Sequence, residues 1–466
     1  MHLWLNWFSV VWQLKRAFSR TRTFTWFVII LIGFSIRHDM LGVTSIIRAT
    51  GINERYYDNL LDFFHSTAVK IDILTSIWTK LTFKIFSPVL INGRYVLCAD
   101  GIKISKEGKK MPGVKRLHQE SESNKKAEYI MGHSCQAIGL VVNALSSFFC
   151  VPLACRIHEG VVFSNRDKRT LLDKMIILFN SLGVPYPCYF VADAYYASRK
   201  TIVGLVKNGH HLVSRMKTSA VAYYPLEIIT ENRPVGRPKK YGKKIKLWTL
   251  FKHKEKMSEI QSPVYGKKNV TLLCRSIDLL WKPTGGLIRF VLVIHPHRGQ
   301  FVLMTTDLSA EPIDVIKMYG LRFKIEVSFK QAVYTLGTYG YHFWSKDMKP
   351  IKGKSGNQYL HRESDEYRNA IRRKLAAYHN YIQVGIIAQG LLQYLSATSP
   401  KLVWSSFGSW LRTIRPGICP SEMVTATAMR NTFSIFLVSC HDYPGFTKFF
   451  AEHLDFSRAD SIKLAG

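Results

Sequence analysis

Several common functional signatures are missing from this 466-residue sequence. Its eight cysteines form no Cys-x-x-Cys pair and no Cys/His block at zinc-finger spacing. This argues against a zinc finger or a dense disulfide framework and favours reduced thiols in a cytoplasm. The sequence also has no Gly-rich phosphate loop, nucleotide-binding fingerprint or Ser-His-Asp set, which disfavours ATP-driven enzymes and serine hydrolases.

Long apolar runs are lacking as well. The longest near the start, residues 24–34, is broken by Thr25 and Gly33, whereas a helix needs about 20 apolar residues to cross a bilayer. The basic stretch 15–22 before it is typical of a signal peptide, but charged residues follow where a small-x-small cleavage site would lie. We therefore expect a buried helix of a soluble cytoplasmic protein that has no membrane partner.

Acidic residues are scarce. The chain has 65 Lys and Arg against 32 Asp and Glu, a net charge of +33, while its 47% hydrophobic content is ordinary for a globular protein. Such an excess of positive charge favours a polyanionic partner, most simply nucleic acid, over a ribosome-associated or membrane-surface protein. The length allows two to four domains.

Residue patterning divides the chain into four regions. Residues 1–90 are helical with interspersed arginines, which suits either a DNA-binding domain or a helical packing module. Residues 91–217 and 309–345 carry strands in series and then strands alternating with helices, which predicts an α/β sheet of mixed direction. Residues 218–308 are basic and strand-like, and residues 346–466 form amphipathic, aromatic-rich helices.

The basic region is densest between Arg233 and Lys268, where twelve Lys and Arg face two acidic residues, a net charge of +10. Burial of that charge would be very costly, so we expect the segment to lie against DNA. Its Gly-Arg-Pro sequence around Arg237, followed by Lys239 and Lys240, is similar to the core of a minor-groove AT-hook. A solvated basic loop is the alternative.

Two aspartates share one sequence context. Asp100 and Asp193 each follow a short apolar run and an alanine, and each precedes a small residue. A buried strand that ends in a carboxylate is a common way to build a site at the edge of an α/β sheet, although an aspartate also ends many strands at an ordinary turn. Paired carboxylates that hold divalent metal ions are typical of phosphodiester enzymes.

A third group lies on a helix predicted from Pro312 to about Leu336. The spacing of Tyr319, Arg322, Glu326 and Lys330 by three, four and four residues puts all four on one helix face. Taken alone, this is also the pattern of a solvated ladder of charges.

Together with the two aspartates, the pattern Tyr319-x-x-Arg322-x-x-x-Glu326 resembles the Tyr-Arg-Glu-Lys signature of DDE transposases of the insertion sequence 4 type. In that family a lysine follows the glutamate by seven positions. Here that position is Val333, and Lys330 follows the glutamate by one turn instead.

The resemblance implies a ribonuclease-H-like α/β catalytic core with a β-rich insertion, flanked by helical N- and C-terminal regions. The implied catalytic and metal-binding residues are Asp100, Asp193 and Glu326, with Tyr319, Arg322 and Lys330 contacting DNA. The implied cofactor is Mg²⁺, with Mn²⁺ as a substitute, because hard cations prefer carboxylate oxygens. The implied partners are double-stranded DNA, both terminal inverted repeats and target, and a second copy of the chain.

The sequence therefore predicts a bacterial transposase, cytoplasmic and nucleoid-associated when bound to DNA, that cuts insertion-sequence ends and joins them to target DNA. Two alternatives remain: a metal-dependent nuclease without strand transfer, and a DNA-binding protein with a decayed catalytic core. Four tryptophans are either core or DNA-stacking residues, namely Trp281, Trp344, Trp404 and Trp410.

Overall fold

The computed structural model describes residues 2–40, 42–119, 127–226, 239–264, 270–410, 413–439 and 444–455. The chain forms two compact units. The first comprises Met1–Ser87, Gly101–Val184 and Glu326–Gly466, and the second comprises Pro88–Asp100 and Pro185–Ile325.

Helices dominate both ends of the chain. In chain order they are α1 (His2–Gln13), α2 (Thr21–Ile36), α3 (Thr44–Thr50), α4 (Tyr57–His65), α5 (Ile71–Ile85), α6 (Leu171–Ser181), α7 (Arg199–Val206), α8 (Pro312–Leu321), α9 (Phe323–Gln331), α10 (Asp365–Thr398), α11 (Pro400–Phe407), α12 (Glu422–Asn431), α13 (Phe433–Ser439) and α14 (Pro444–His453). Helix α2 is buried along most of its length, as predicted for the apolar segment near the start. Within the described ranges, no helix is both long and apolar enough to span a membrane.

Strands fill the middle of the chain. They are β1 (Leu90–Ile91), β2 (Arg94–Ser105), β3 (Lys115–His118), β4 (Tyr129–Ala144), β5 (Ser147–Ile157), β6 (Val161–Val162), β7 (Cys188–Ala192), β8 (His211–Arg215), β9 (Val221–Tyr223), β10 (Lys244–Lys246), β11 (Ser258–Gln261), β12 (Thr271–Trp281), β13 (Gly286–His295), β14 (Gly299–Thr305) and β15 (Gln358–Tyr359). The fold is therefore mixed α/β.

The second unit contains a large, mostly antiparallel sheet in the order β10-β9-β12-β13-β14-β8-β7-β2. The pairs β2–β7 and β7–β8 are parallel, whereas β8, β14, β13 and β12 pair in antiparallel fashion. Strand β7 is buried at every position, since it lies between two neighbours and carries an unbroken apolar run. The β-rich interval after Asp193 thus continues the sheet that begins with β2.

The first unit is built around the long β4–β5 hairpin and helix α10. Residues 377–396 of α10 are almost all buried, because α10 packs against β5 on one side and against α2, α4 and α12 on others. Each fully buried aliphatic side chain of this helix, such as Ile382 or Ile387, contributes about 1.5 to 3 kcal/mol. Helix α10 is therefore the central element of this unit.

One strand is longer than predicted. We expected the strand before Asp100 to end at that residue, which is wrong, because β2 continues to Ser105. Ile102 and Ile104 are half-buried and alternate with exposed Lys103 and Ser105, a period of two that extends the strand. Asp100 therefore lies inside a strand and not at its end.

The helix predicted from Pro312 to about Leu336 is interrupted. Helix α8 ends at Leu321 and α9 begins at Phe323, followed by a π-helical turn at 332–336. The amide of Arg322 donates to the Tyr319 carbonyl, and the Ile325 amide donates to that of Arg322. These three-residue steps tighten the backbone, so Arg322 lies at a break between the two helices.

Candidate functional site

The two aspartates lie at the same level of neighbouring parallel strands. β2 and β7 pair with Tyr95 opposite Cys188 and Cys98 opposite Val191. The same register, continued by two residues, places Asp100 beside Asp193. The residues that precede them, Ala99 and Ala192, are buried, while both aspartates are half-buried. Folding of this strand pair therefore brings the two aspartates level with each other on neighbouring strands.

The neighbouring strand β8 places a third residue, Arg215, at the same level as the two aspartates. In the parallel pair β7–β8, Ala192 is opposite Ser214, so Arg215 comes level with Asp193. The hydroxyl of Ser214 donates to the backbone carbonyl of Asp193 at 2.7 Å, and the Tyr195 amide donates to the Asp193 carboxylate at 3.1 Å. Our sequence reasoning missed Arg215. The sequence could have pointed to Arg215, because it ends strand β8 much as Asp193 follows the end of β7.

Asp100 is paired with a cation. The Arg322 guanidinium donates from Nη1 to Asp100 Oδ2 at 2.7 Å, and each side chain is 18% exposed. A charge-assisted hydrogen bond in such partly buried surroundings is stronger than an ion pair in open water. The break between α8 and α9 places the guanidinium on this carboxylate.

Tyr319 lies among these charged groups. Its ring centroid is 5.8 Å from the Arg322 guanidinium carbon. Burial raises the pKa of the Tyr319 hydroxyl; Arg322 and Arg215 oppose that shift, and Asp193 adds to it. The hydroxyl thus keeps its proton at neutral pH and can donate a hydrogen bond to an anionic oxygen.

Glu326 and Lys330 lie on α9. Both side chains are exposed, and their spacing of four residues puts them on one face of that helix. The expectation that Tyr319 and Arg322 share this continuous helix is wrong, since the helix breaks at Arg322. Glu326 belongs to the first compact unit, and both aspartates belong to the second.

The predicted basic DNA contacts are only partly described. Lys239 and Lys240 are exposed, and the Lys240 ammonium is 5.9 Å from the ring centroid of Tyr241. Lys243 and Lys244, at the start of β10, are exposed too. Arg237 and its Gly-Arg-Pro sequence lie outside the described residues. The described lysines of the segment are therefore solvent-facing, as their charge demands.

The donor set can be tested for its fit to a metal ion. Asp100 and Asp193 supply carboxylate oxygens, which Mg²⁺ and Mn²⁺ prefer. Across the described ranges, no group of three or more His, Cys, Asp or Glu side chains is gathered as a metal site. The aspartate pair thus fits as two ligands of a hard cation, and Glu326 as a third ligand stays a prediction.

Comparison with known proteins identifies a family for this chain. A sequence profile described as DDE superfamily endonuclease matches residues 13–272, more than half of the chain, including Asp100 and Asp193 but ending before Glu326. No curated protein sequence matches the chain. Among solved structures, it is similar to a cryo-EM structure of the piggyBac transposase synaptic complex with hairpin DNA. That similarity has 10% identity, covers 94% of this chain and 77% of that chain, and has a TM-score of 0.36.

Proposed function

The chain belongs to the DDE superfamily endonucleases, and from this premise we propose that it is a DNA transposase that cuts insertion-sequence ends and joins them to target DNA. Members of this superfamily generally use divalent metals. The observation that carries the proposal is the β2–β7 register, which sets Asp100 beside Asp193. A net charge of +33 supports a DNA substrate.

In the proposed site, Asp100, Asp193 and Glu326 hold Mg²⁺, or Mn²⁺ in its place. When bound, the metal activates the attacking oxygen and stabilises the leaving oxygen of the phosphodiester. Tyr319 keeps its proton and donates to a phosphate oxygen, while Arg215 and Arg322 offset the phosphate charge. Arg322 also holds the Asp100 side chain in position when no phosphate is present.

The finer identity is part of the same proposal. We assign the chain to the insertion sequence 4 type, with a ribonuclease-H-like catalytic domain at 91–217 and 309–345. The parallel neighbours β2, β7 and β8 support that core. The remaining assignments are a DNA-binding domain at 1–90, a β-rich basic insertion at 218–308 and a helical region at 346–466. Lys330, Arg237, Lys239 and Lys240 contact DNA, and the protein acts in the bacterial cytoplasm at the nucleoid.

Single substitutions of the three acidic residues test the proposal. Asp100→Asn, Asp193→Asn and Glu326→Gln should each lower Mg²⁺-dependent cleavage of element-end DNA by more than tenfold, because loss of a metal ligand costs several kcal/mol. Binding of the same DNA should persist, since its phosphates are contacted by Lys and Arg. Any variant that stays within tenfold of the wild-type rate removes its residue from the site.

A second candidate is a nuclease that only hydrolyses DNA, and the endonuclease description of the family favours it. The two functions differ in the fate of the cut 3′ end. Incubation with element-end DNA and supercoiled target plasmid should yield joined products for a transposase. Intact cleavage without joined products would assign the nuclease function instead.

A further inference from the structure

Two segments of the first unit lie side by side. Residues 344–362, here called the strap, run along residues 109–116. The Ser345 amide donates to the Lys110 carbonyl at 2.9 Å, and the Ile351 amide donates to the Lys109 carbonyl at 2.7 Å. Further along, the Arg116 amide donates to the Ser355 carbonyl at 2.7 Å. Backbone bonds thus fix the strap at several points.

Apolar side chains also hold the strap in place. Met348 and Leu360 form a buried cluster with Ile371 of α10, and Ile351 packs against this cluster. Strand β15, within the strap, pairs in parallel with β6. Because both the backbone and the apolar side chains are held, the outward-facing residues of the strap have fixed positions.

Lysine is the most frequent of those outward-facing residues. Lys346, Lys352 and Lys354 of the strap and Lys109 beside it are exposed. In the described part of the chain, none of these four forms an ion pair with an acidic side chain. Neighbouring Lys349 and Lys115 differ, because Lys349 bonds Glu363 at 2.8 Å and Lys115 lies 3.4 Å from Glu159. Residues 344–355 contain one acidic residue, Asp347, and four lysines. Positive charge therefore dominates the surface of this part of the strap.

Two large aromatic side chains flank the lysines. Trp344 is 64% exposed at the start of the strap, and Tyr359 is 63% exposed near its end. Beside the strap, Arg116 stacks on the ring of Tyr129 with its guanidinium carbon 3.7 Å from the ring centroid. Exposed aromatics next to unneutralised cations are typical of surfaces that contact nucleic acid.

We propose that the strap and residues 109–116 form a second DNA-binding surface, which takes the sugar–phosphate backbone of a DNA duplex. Lys109, Lys346, Lys352 and Lys354 provide the phosphate contacts, and Trp344 and Tyr359 border them. Pre-positioned cations bind phosphates with little further loss of side-chain freedom, and each contact releases counterions from the DNA. The inference rests on the proposed function in one respect, that the polyanion is DNA.

The test compares two variants of equal charge. Lys346, Lys352 and Lys354 are changed together to Gln, and a control variant changes Arg373, Lys401 and Arg415 to Gln, three exposed basic residues elsewhere in the first unit. Binding to a labelled duplex of arbitrary sequence is measured in EDTA between about 50 and 200 mM salt. The strap variant should lower the slope of log affinity against log salt by about 2.7, at about 0.9 per lost contact. The control should change it by much less.

Equal slopes for the two variants would overturn the proposal, because only net charge would then matter. A strap variant that binds DNA normally but no longer binds phosphatidylserine vesicles would also overturn it, in favour of a membrane surface. Neither result touches the cleavage chemistry, since EDTA removes metal from the assay. Conversely, a chain that binds DNA through the strap but never cleaves element ends would contradict the proposed function alone.

Discussion

Arg322 gives Asp100 an environment that its sequence position does not reveal. A carboxylate that is only 18% exposed is unfavourable unless positive charge compensates it. In the structure the Arg322 guanidinium supplies that charge. A divalent cation at the aspartates would supply the same compensation, so guanidinium and metal compete for one role.

Replacing Arg322 with Gln should therefore do two things. The metal-free protein should lose about 1 to 3 kcal/mol of stability, because a partly buried charge loses its charged hydrogen-bond partner. Mn²⁺ should restore more thermal stability to this variant than it adds to the wild type, since its competitor is gone. Thermal unfolding with and without Mn²⁺ measures both effects.

The control is Arg289→Gln, which breaks the Arg289–Asp278 pair of the same unit at a similar distance of 2.8 Å. This variant should also be less stable, but Mn²⁺ should not restore it. If Mn²⁺ raises the melting temperature of the Arg322 variant no more than that of the wild type, the competition does not exist.

Buried histidines make a separate contribution in the first unit. His133 contacts the Tyr341 hydroxyl at 2.7 Å and the Pro112 carbonyl at 2.9 Å, and burial lowers its pKa to about 3. Burial, with Lys174 and Arg156 nearby, lowers the pKa of His158 to about 3 as well. The unfolded chain therefore binds more protons than the folded one between pH 6.5 and about 3.

Stability should accordingly be complete above pH 6.5 and fall as the pH is lowered through that window. The loss is about 1.4 kcal/mol per pH unit for each histidine. His158→Gln should flatten the dependence of the melting temperature on pH between 7 and 5, whereas His118→Gln, at an exposed position, should leave it unchanged. A steep dependence that survives in His158→Gln would rule out this histidine as a cause.

At the residue level, sequence reasoning singled out the two aspartates as candidates but did not predict their surroundings. Asp100 and Asp193 stood out because each follows an apolar run. Arg215 was missed because its place in the site depends on β8 pairing with β7. Pairing between strands is a non-local contact, and a single sequence carries little information about its register.

At the level of elements, local patterns predicted most strands and helices well. The apolar run before Asp193 is strand β7, and helices α6 and α7 alternate with strands β6, β7 and β8, as predicted. The N-cap of helix α6 is Thr170, which forms a capping box with Asp173. The break at Arg322 was not predicted, although Gly320, a poor helix former, lies two residues before it.

For the described lysines in and before strand β10, we expect direct contact with DNA. Lys239, Lys240, Lys243 and Lys244 are exposed within a segment of high positive charge. Changing all four to Gln should weaken binding of element-end DNA and lower the salt slope by about 0.9 per lost phosphate contact. Fluorescence anisotropy over a salt series measures this. An unchanged slope would show that these lysines are merely solvated.

At the level of the whole molecule, helix α10 constrains how two copies could pair. The amphipathic, aromatic-rich sequence of residues 368–414 suits either a surface that pairs two copies or a cover for the catalytic core. In the structure residues 377–396 are almost all buried within the first unit, so this stretch is not available to a partner. Truncation near residue 365 would remove that core and could not test pairing.

The active form on DNA should nevertheless contain at least two chains. In the proposed site each chain supplies one Asp100–Asp193 pair and would cut one element end at a time, whereas joining requires two ends held together. Mass measurement of the complex with element-end DNA should give two chains and two duplexes. Mixing wild-type chains with Asp193→Asn chains should yield complexes that cut only one of their two ends. A single-chain complex that cuts and joins both ends would refute the prediction.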